Sequence, residues 1–96
     1  MEQNEQHELI LIKEKLKKLL IERLSLEDIK PEDIKDNEML FGEGLGLDSL
    51  DAVEIVVILQ RDFSLEIKNL DKRKEIFYSV DTLAKYIYEN KPKTDN

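Results

Sequence analysis

The stretch Leu40–Phe63, LFGEGLGLDSLDAVEIVVILQRDF, joins a glycine-bearing loop to a long apolar helix and decides how the rest of the chain is interpreted. All three glycines of the 96-residue chain fall between positions 42 and 46. Glycine adopts backbone angles that other residues avoid, so the sequence predicts a tight loop of specific shape here. Asp48 is a suitable helix N-cap, because its carboxylate can accept hydrogen bonds from the first amides of a helix. Ser49 is therefore predicted to display its hydroxyl at a helix N-terminus.

The run Leu45-Gly46-Leu47-Asp48-Ser49-Leu50-Asp51 resembles the attachment motif of acyl carrier proteins, in which a serine carries a 4′-phosphopantetheine arm. The resemblance extends roughly from Leu9 to Tyr88 in the spacing of apolar positions and turns. It implies that a phosphopantetheinyl transferase loads Ser49 from coenzyme A and that the arm holds acyl intermediates as thioesters. It also implies a non-catalytic carrier for fatty acid, polyketide or aryl-polyene-like biosynthesis, whose acyl-transferring and ketosynthase-type partners have basic docking surfaces.

The chemistry around Ser49 agrees with a hydroxyl that another enzyme modifies. A helix N-terminus carries partial positive charge, so a phosphodiester is expected to be stabilised there by the dipole and by free amides. No histidine or lysine stands near Ser49 in the sequence to take its proton, whereas a serine nucleophile needs such a base. A serine that merely caps the helix is the alternative interpretation.

The helix after Ser49 contains two apolar stripes. At about 100° per residue, one stripe spans an arc of about 60° and is predicted to face the core. Its members are Ala52, Val56, Leu59 and Phe63, and Ile55 lies beside them. The second stripe, on nearly the opposite side, contains Leu50, Val53 and Val57 beside Glu54 and Arg61. A surface helix needs only one buried stripe, so the second is predicted to contact a partner protein. The resemblance assigns partner contacts to Asp48, Leu50, Asp51, Val53, Glu54 and Val57.

The negative charge is concentrated around the serine. Residues 25–48 contain eight acids and two lysines, a net charge of −6, and residues 49–62 contain three acids and one arginine, a net charge of −2. The whole chain carries −7. A nucleic-acid surface needs the opposite sign, so that class of partner is disfavoured. A basic protein surface is the expected partner.

The apolar pattern predicts one all-α domain, a small four-helix bundle with a long first loop and a short third helix. The first helix is expected from about His7 to Leu24, with Lys13, Lys17 and Lys18 facing solvent. Pro31 is expected to begin a turn in the long loop. Asp71 is expected to cap the short third helix, which continues to about Tyr78. Ser79 is expected to cap the last helix, and Pro92 is expected to end it. We expect residues 1–8 and 91–96 to be flexible around a carrier domain at 9–90.

Composition limits the remaining possibilities. The chain contains no stretch of about 18 apolar residues, the length that a membrane-spanning helix needs. The absence of cysteine and of a signal-like beginning favours a cytoplasmic location, and a monomer is expected. The acids of the first loop do not match a calcium-binding loop, so no metal site is predicted. They are Asp28, Glu32, Asp33, Asp36 and Glu38.

Three features leave the pathway open. Gln60 and Arg61 stand where fatty-acid carriers usually have acids, and Lys72-Arg73-Lys74 stands where an acidic short helix is common. Repulsion of basic partners there would favour a dedicated pathway. Gly46-Leu47-Asp48 departs from the pattern of peptidyl carriers. A D-alanyl or peptidyl carrier and an unmodified helical adaptor remain alternatives, and an enzyme is the weakest of them.

Overall fold

Three long helices and one helical turn make up most of the regular structure. In the computed structural model, α1 spans Glu2–Arg23, α2 spans Ser49–Asp62, α3 spans Arg73–Ile76 and α4 spans Val80–Asn90. The structure describes residues 2–65 and 73–90, with the side chains of 6–65 and 75–90. Within these residues there is no β-strand, so the all-α prediction is confirmed. The count of four bundle helices stays a prediction, because α3 is a single turn and residues 66–72 lie outside this range.

The helix boundaries differ from the sequence prediction mainly at two places. α1 begins at Glu2 rather than at about His7, and the exposed His7 lies within it. The flexibility of residues 1–8 remains a prediction. α3 ends at Ile76 rather than near Tyr78. The cap predicted at Asp71 and the helix end predicted at Pro92 fall on residues that the structure does not describe.

The core is built from one face of each long helix. The fully buried side chains include Leu16 and Leu20 of α1, Ile55, Ile58 and Leu59 of α2, and Leu83 and Ala84 of α4. Burial of these apolar surfaces is the main favourable contribution to folding. In α4, Val80, Leu83, Ala84 and Ile87 are all buried. In α2 the core face is rotated from the predicted one: it includes Ile58, while Ala52, Val56 and Phe63 are only partly buried.

The long connection between α1 and α2 is attached to the core at several points. Pro31–Asp33 forms a short 3-10 helix, which confirms the turn predicted at Pro31. Ile34, Leu40 and Leu47 are buried in the core. Met39 of the same loop is an exception, because it is 39% exposed. The loop is therefore held by apolar contacts along its length.

An ion-pair network also joins this loop to α1 and α4. The Asp36 carboxylate lies 2.6 Å from Lys17 Nζ and 3.5 Å from Lys13 Nζ, and Lys13 Nζ lies 2.6 Å from Asp81 Oδ1. The prediction that Lys13 and Lys17 face solvent is therefore wrong, because their side chains are only 24% and 17% exposed. The hydrogen bond from Lys17 is the main cause that lowers the pKa of Asp36. The hydrogen bond to Asp81 is the main cause that raises the pKa of Lys13.

The start of α4 is fixed by a reciprocal cap. The Thr82 amide donates to Ser79 Oγ at 3.2 Å, and the Ser79 amide donates to Thr82 Oγ1 at 2.9 Å. The cap predicted at Ser79 is confirmed. The Asp81 amide also donates to the Asp36 carbonyl at 2.8 Å, so the beginning of α4 and the long loop are directly connected.

The described residues lack two kinds of feature. None of their helices is both long and apolar enough to cross a membrane. No group of three or more histidine, cysteine or acidic side chains in this part of the chain has the arrangement of a metal site.

Candidate functional site

The loop that leads into α2 is closed by backbone hydrogen bonds. The Leu45 amide donates to the Met39 carbonyl at 2.9 Å, and the Leu47 amide donates to the Leu40 carbonyl at 3.1 Å. Phe41 and Leu47 form an isolated parallel bridge. The Leu40 amide in turn donates to the Tyr78 carbonyl at 2.8 Å, just before α4. The position of the chain immediately before Ser49 is therefore determined by contacts at both ends of the loop.

Two glycines are required by this geometry. Gly46 has a φ of 87°, which lies in the left-handed region that side chains with a Cβ rarely adopt. Gly44 has a different constraint, because a Cβ at this position would overlap the backbone carbonyl of Met39. The sequence prediction of a specially shaped loop is confirmed at both positions.

Asp48 is the N-cap of α2, as predicted. Its Oδ1 accepts hydrogen bonds from the amides of Leu50 at 3.1 Å and Asp51 at 3.2 Å. The Asp48 amide donates to Asp51 Oδ2 at 2.9 Å, which completes a capping box. The expectation that free amides at this terminus are available to a phosphodiester is wrong for these two amides. A phosphate could bind these two amides only by displacing Asp48, so the helix dipole and the Ser49 amide, which donates to no described group, remain as the predicted stabilising contributions.

Ser49 is the first residue of α2 and is exposed. No group in the described part of the chain forms a hydrogen bond with its hydroxyl. The described residues that line the cleft beside it include neither histidine nor lysine. The hydroxyl is thus accessible, and the one carboxylate among the described cleft residues, Asp48, accepts hydrogen bonds from the amides of Leu50 and Asp51. This arrangement suits a hydroxyl that another enzyme modifies.

An open apolar cleft of about 570 Å³ begins at Ser49. Its walls come from the long loop, the start of α2 and the segment before α4. The lining residues are Met39, Phe41, Leu47, Asp48, Ser49, Ala52, Phe77 and Tyr78. Phe77 is buried, whereas Tyr78 is 48% exposed. The exposed hydroxyl and the adjacent cleft leave space for a long, largely uncharged group attached to Ser49.

Sequence reasoning did not identify this cleft. Ser49 and Phe77 are separated by 28 positions, and no periodicity relates the loop residues to the residues before α4. The glycine loop indicated where the chain turns, but Phe77 and Tyr78 are brought to the cleft only by the tertiary fold.

The exposed α2 face consists of Leu50, Val53, Glu54 and Val57. Leu50 is 80% exposed and Val53 is 59% exposed, whereas Val57 is partly buried. The structure therefore leaves the second apolar stripe largely uncovered by the described residues, as the sequence predicted. Asp51 has its carboxylate engaged in the capping box.

Glu54 has an ion-pair partner that the sequence did not reveal. Arg23 Nη1 lies 3.7 Å from Glu54 Oε2, and Arg23 Nη2 donates to Asp62 Oδ2 at 3.1 Å. Arg23 is the last residue of α1. No local pattern could indicate this contact, because it joins residues that are 31 positions apart.

Comparison with known proteins matches the chain to a family model and to curated proteins. The family model described as the phosphopantetheine attachment site matches residues 14–71, more than half of the chain. The mitochondrial acyl carrier protein of Neurospora crassa is 47% identical over 47 residues, which cover 49% of this chain and 34% of that protein. The match thus spans about a third of the relative's length.

The matched family region contains the glycine loop, Asp48, Ser49 and the whole of α2. The accessible hydroxyl and the cleft beside it fit the group that this family carries. On this evidence from both sequence and fold, the chain belongs to the acyl carrier protein family, in which 4′-phosphopantetheine is the attached cofactor.

Proposed function

We propose that Ser49 carries 4′-phosphopantetheine and that the chain holds acyl intermediates without catalysing their chemistry. The observation that carries this proposal is the exposed Ser49 hydroxyl at the first position of α2, beside an apolar cleft of about 570 Å³. When bound, the group supplies a terminal thiol that holds acyl chains as thioesters. Phe41, Phe77 and Ala52 provide apolar surface on which such a chain can rest.

In loading by a phosphopantetheinyl transferase, a bond forms between Ser49 Oγ and the phosphorus of coenzyme A that carries the pantetheine arm. The bond from that phosphorus to the 3′,5′-ADP portion breaks, and the serine proton leaves. Because the described cleft residues include no histidine or lysine, we assign the removal of this proton to the transferase. The role of Asp48 is to fix the start of α2 through its hydrogen bonds to the amides of Leu50 and Asp51.

We assign recognition of the transferase and of the acyl-transferring enzymes to the exposed α2 face. Leu50 and Val53 supply apolar contact area. Asp48, Asp51 and Glu54 surround them with negative charge, which favours approach of a basic protein surface. Arg61 is exposed toward the other end of the helix. A partner that fits this face has basic residues near the start of α2 and an acid or a neutral residue near Arg61.

The pathway is part of the proposal. The mitochondrial relative supports a carrier of the fatty-acid type, whereas the exposed Gln60 and Arg61 support a dedicated polyketide or aryl-polyene-like system. Lys72 and the side chains of Arg73 and Lys74 lie outside what the structure describes. A D-alanyl or peptidyl carrier is the less supported alternative. A cytoplasmic location rests on the cysteine-free composition, and the mitochondrial relative bears on it only weakly.

The decisive experiment is intact mass measurement after incubation with coenzyme A and a broad-specificity phosphopantetheinyl transferase. We expect one phosphopantetheinyl group on the wild-type chain and none on Ser49→Ala. Ser25→Ala is the matched control, because Ser25 is another exposed serine outside the proposed site, and it is expected to be loaded fully. A wild-type chain that gains no mass would instead favour the unmodified adaptor.

A further inference from the structure

Arg23 lies between two acids of α2 and contacts them unequally. Its bond to Asp62, at 3.1 Å, has hydrogen-bond length, whereas its approach to Glu54, at 3.7 Å, is a longer ion pair. The side chains of Arg23, Glu54 and Asp62 are 28%, 37% and 23% exposed. The guanidinium is thus held by Asp62 and reaches Glu54 more loosely.

Glu54 belongs to the exposed α2 face, where it lies between the Leu50 and Val57 positions along the helix. Among the residues that the structure describes, Arg23 forms the one ion pair of Glu54. A basic side chain of a docking protein would approach the same carboxylate. Like charges repel, so Arg23 and the partner's cation oppose each other at this position.

We propose that Arg23 is a specificity-determining residue that weakens docking of basic partners by competing for the Glu54 carboxylate. This inference rests on the proposed function, because it takes the exposed α2 face as the docking surface. The occupant is the basic surface of a phosphopantetheinyl transferase or acyl-transferring enzyme. The competition lowers the effective negative charge of this face although the surrounding sequence is strongly acidic.

Asp62 determines how close the Arg23 guanidinium lies to Glu54, because it holds the guanidinium by a hydrogen bond. While Asp62 holds the guanidinium, Glu54 can turn toward a partner without leaving Arg23 unpaired. When the Asp62 charge is removed, Glu54 is the one acid among the described residues that still pairs with Arg23, so the guanidinium is expected to move closer to Glu54. The two substitutions Arg23→Gln and Asp62→Asn therefore have opposite predicted effects on docking, although both remove the same hydrogen bond.

The experiment measures kcat and KM for loading of the full chain by a broad-specificity phosphopantetheinyl transferase with coenzyme A, at low and high salt. We expect Arg23→Gln to lower KM about two- to fivefold and Asp62→Asn to raise it by a similar factor, the range for partly exposed charge pairs. Because docking interactions act equally before and during the reaction, kcat should change little. Both effects should decrease at high salt.

Glu54→Gln provides the background that isolates the competition. By itself it should raise KM about two- to fivefold, and in its presence the effects of Arg23→Gln and Asp62→Asn should disappear. Arg23→Lys keeps the cation and should load like the wild type. Thermal unfolding followed by circular dichroism identifies any variant that is not folded. If Arg23→Gln is unfolded, the direction of the KM change in Asp62→Asn tests the proposal instead: a raised KM supports it, and an unchanged or lowered KM overturns it.

Three results would overturn the proposal. They are an unchanged or raised KM for a folded Arg23→Gln, the same effects in the Glu54→Gln background, and wild-type loading of Glu54→Gln itself. Failure of the proposed function is distinguishable from all three, because then the wild-type chain gains no phosphopantetheinyl group at all.

Discussion

The two faces of α2 are both apolar but differ in exposure. Ile55, Ile58 and Leu59 are completely buried, whereas Leu50 and Val53 on the other side are 80% and 59% exposed. The first group packs into the core with α1 and α4. The second group has little contact with the described chain. Apolar side chains on one helix can therefore stabilise the fold or remain available for recognition, depending on what the tertiary structure places beside them.

Replacing a buried residue should have the largest effect on stability. Leu59→Ala removes a fully buried side chain and is expected to lower the free energy of unfolding by about 2–5 kcal/mol, because it loses apolar burial and leaves a cavity. Leu50→Ala, the matched change on the exposed α2 face, should change it by less than about 0.5 kcal/mol. Denaturant unfolding followed by circular dichroism measures both values.

The same pair sharpens the functional side of the comparison. Leu50→Ala should load more slowly than wild type despite its unchanged stability, because it removes apolar docking surface. Equal destabilisation by the two alanine variants would show that the exposed α2 face is part of the core after all, and normal loading of Leu50→Ala would remove this residue from the docking surface.

The loop before Ser49 should respond to a single methyl group. In Gly44→Ala the added Cβ meets the Met39 carbonyl, so the loop must shift, and we expect a loss of about 1–3 kcal/mol in the free energy of unfolding. Loading of Ser49 should also slow, because this loop sets the start of α2. Glu43→Ala, at an exposed neighbouring position, is the control and should leave both properties nearly unchanged.

The smallest predicted effect concerns acid stability. The lowered pKa of Asp36 means that its ion pairs with Lys17 and Lys13 stabilise the fold above the unfolded pKa, near 3.8, and that this contribution is lost as the pH falls through the folded pKa. Since the Asp36 side chain is 43% exposed, we expect at most about 1 kcal/mol.

Denaturant unfolding at pH 7 and pH 3 tests this prediction. Asp36→Asn should be less stable than wild type at pH 7 and should differ from it less at pH 3. Asp28→Asn, at an exposed acid of the same loop, is the control. A difference between Asp36→Asn and wild type that is the same at both pH values would contradict a role for the charged pair.

Local chemistry made much of the site predictable. The glycine loop, the Asp48 cap, the position of Ser49 and the second apolar stripe of α2 are all short-range features, and each is present in the structure. Apart from the capped amides of Leu50 and Asp51 and the shifted helix ends, the predictions failed where residues distant in sequence meet. The sequence predicted that Lys13 and Lys17 face solvent, because it does not show that Asp36 and Asp81 lie beside them.

The sequence by itself determined the all-α character of the described chain and the place where a hydroxyl is offered, since caps, turns and helical periodicity depend on neighbouring residues. Only the tertiary structure decided the exact core face of α2, the cleft formed with Phe77 and Tyr78, and the contact of Arg23 with Glu54. The physical reason is that each of these depends on the packing of helices and loops that are far apart in the chain.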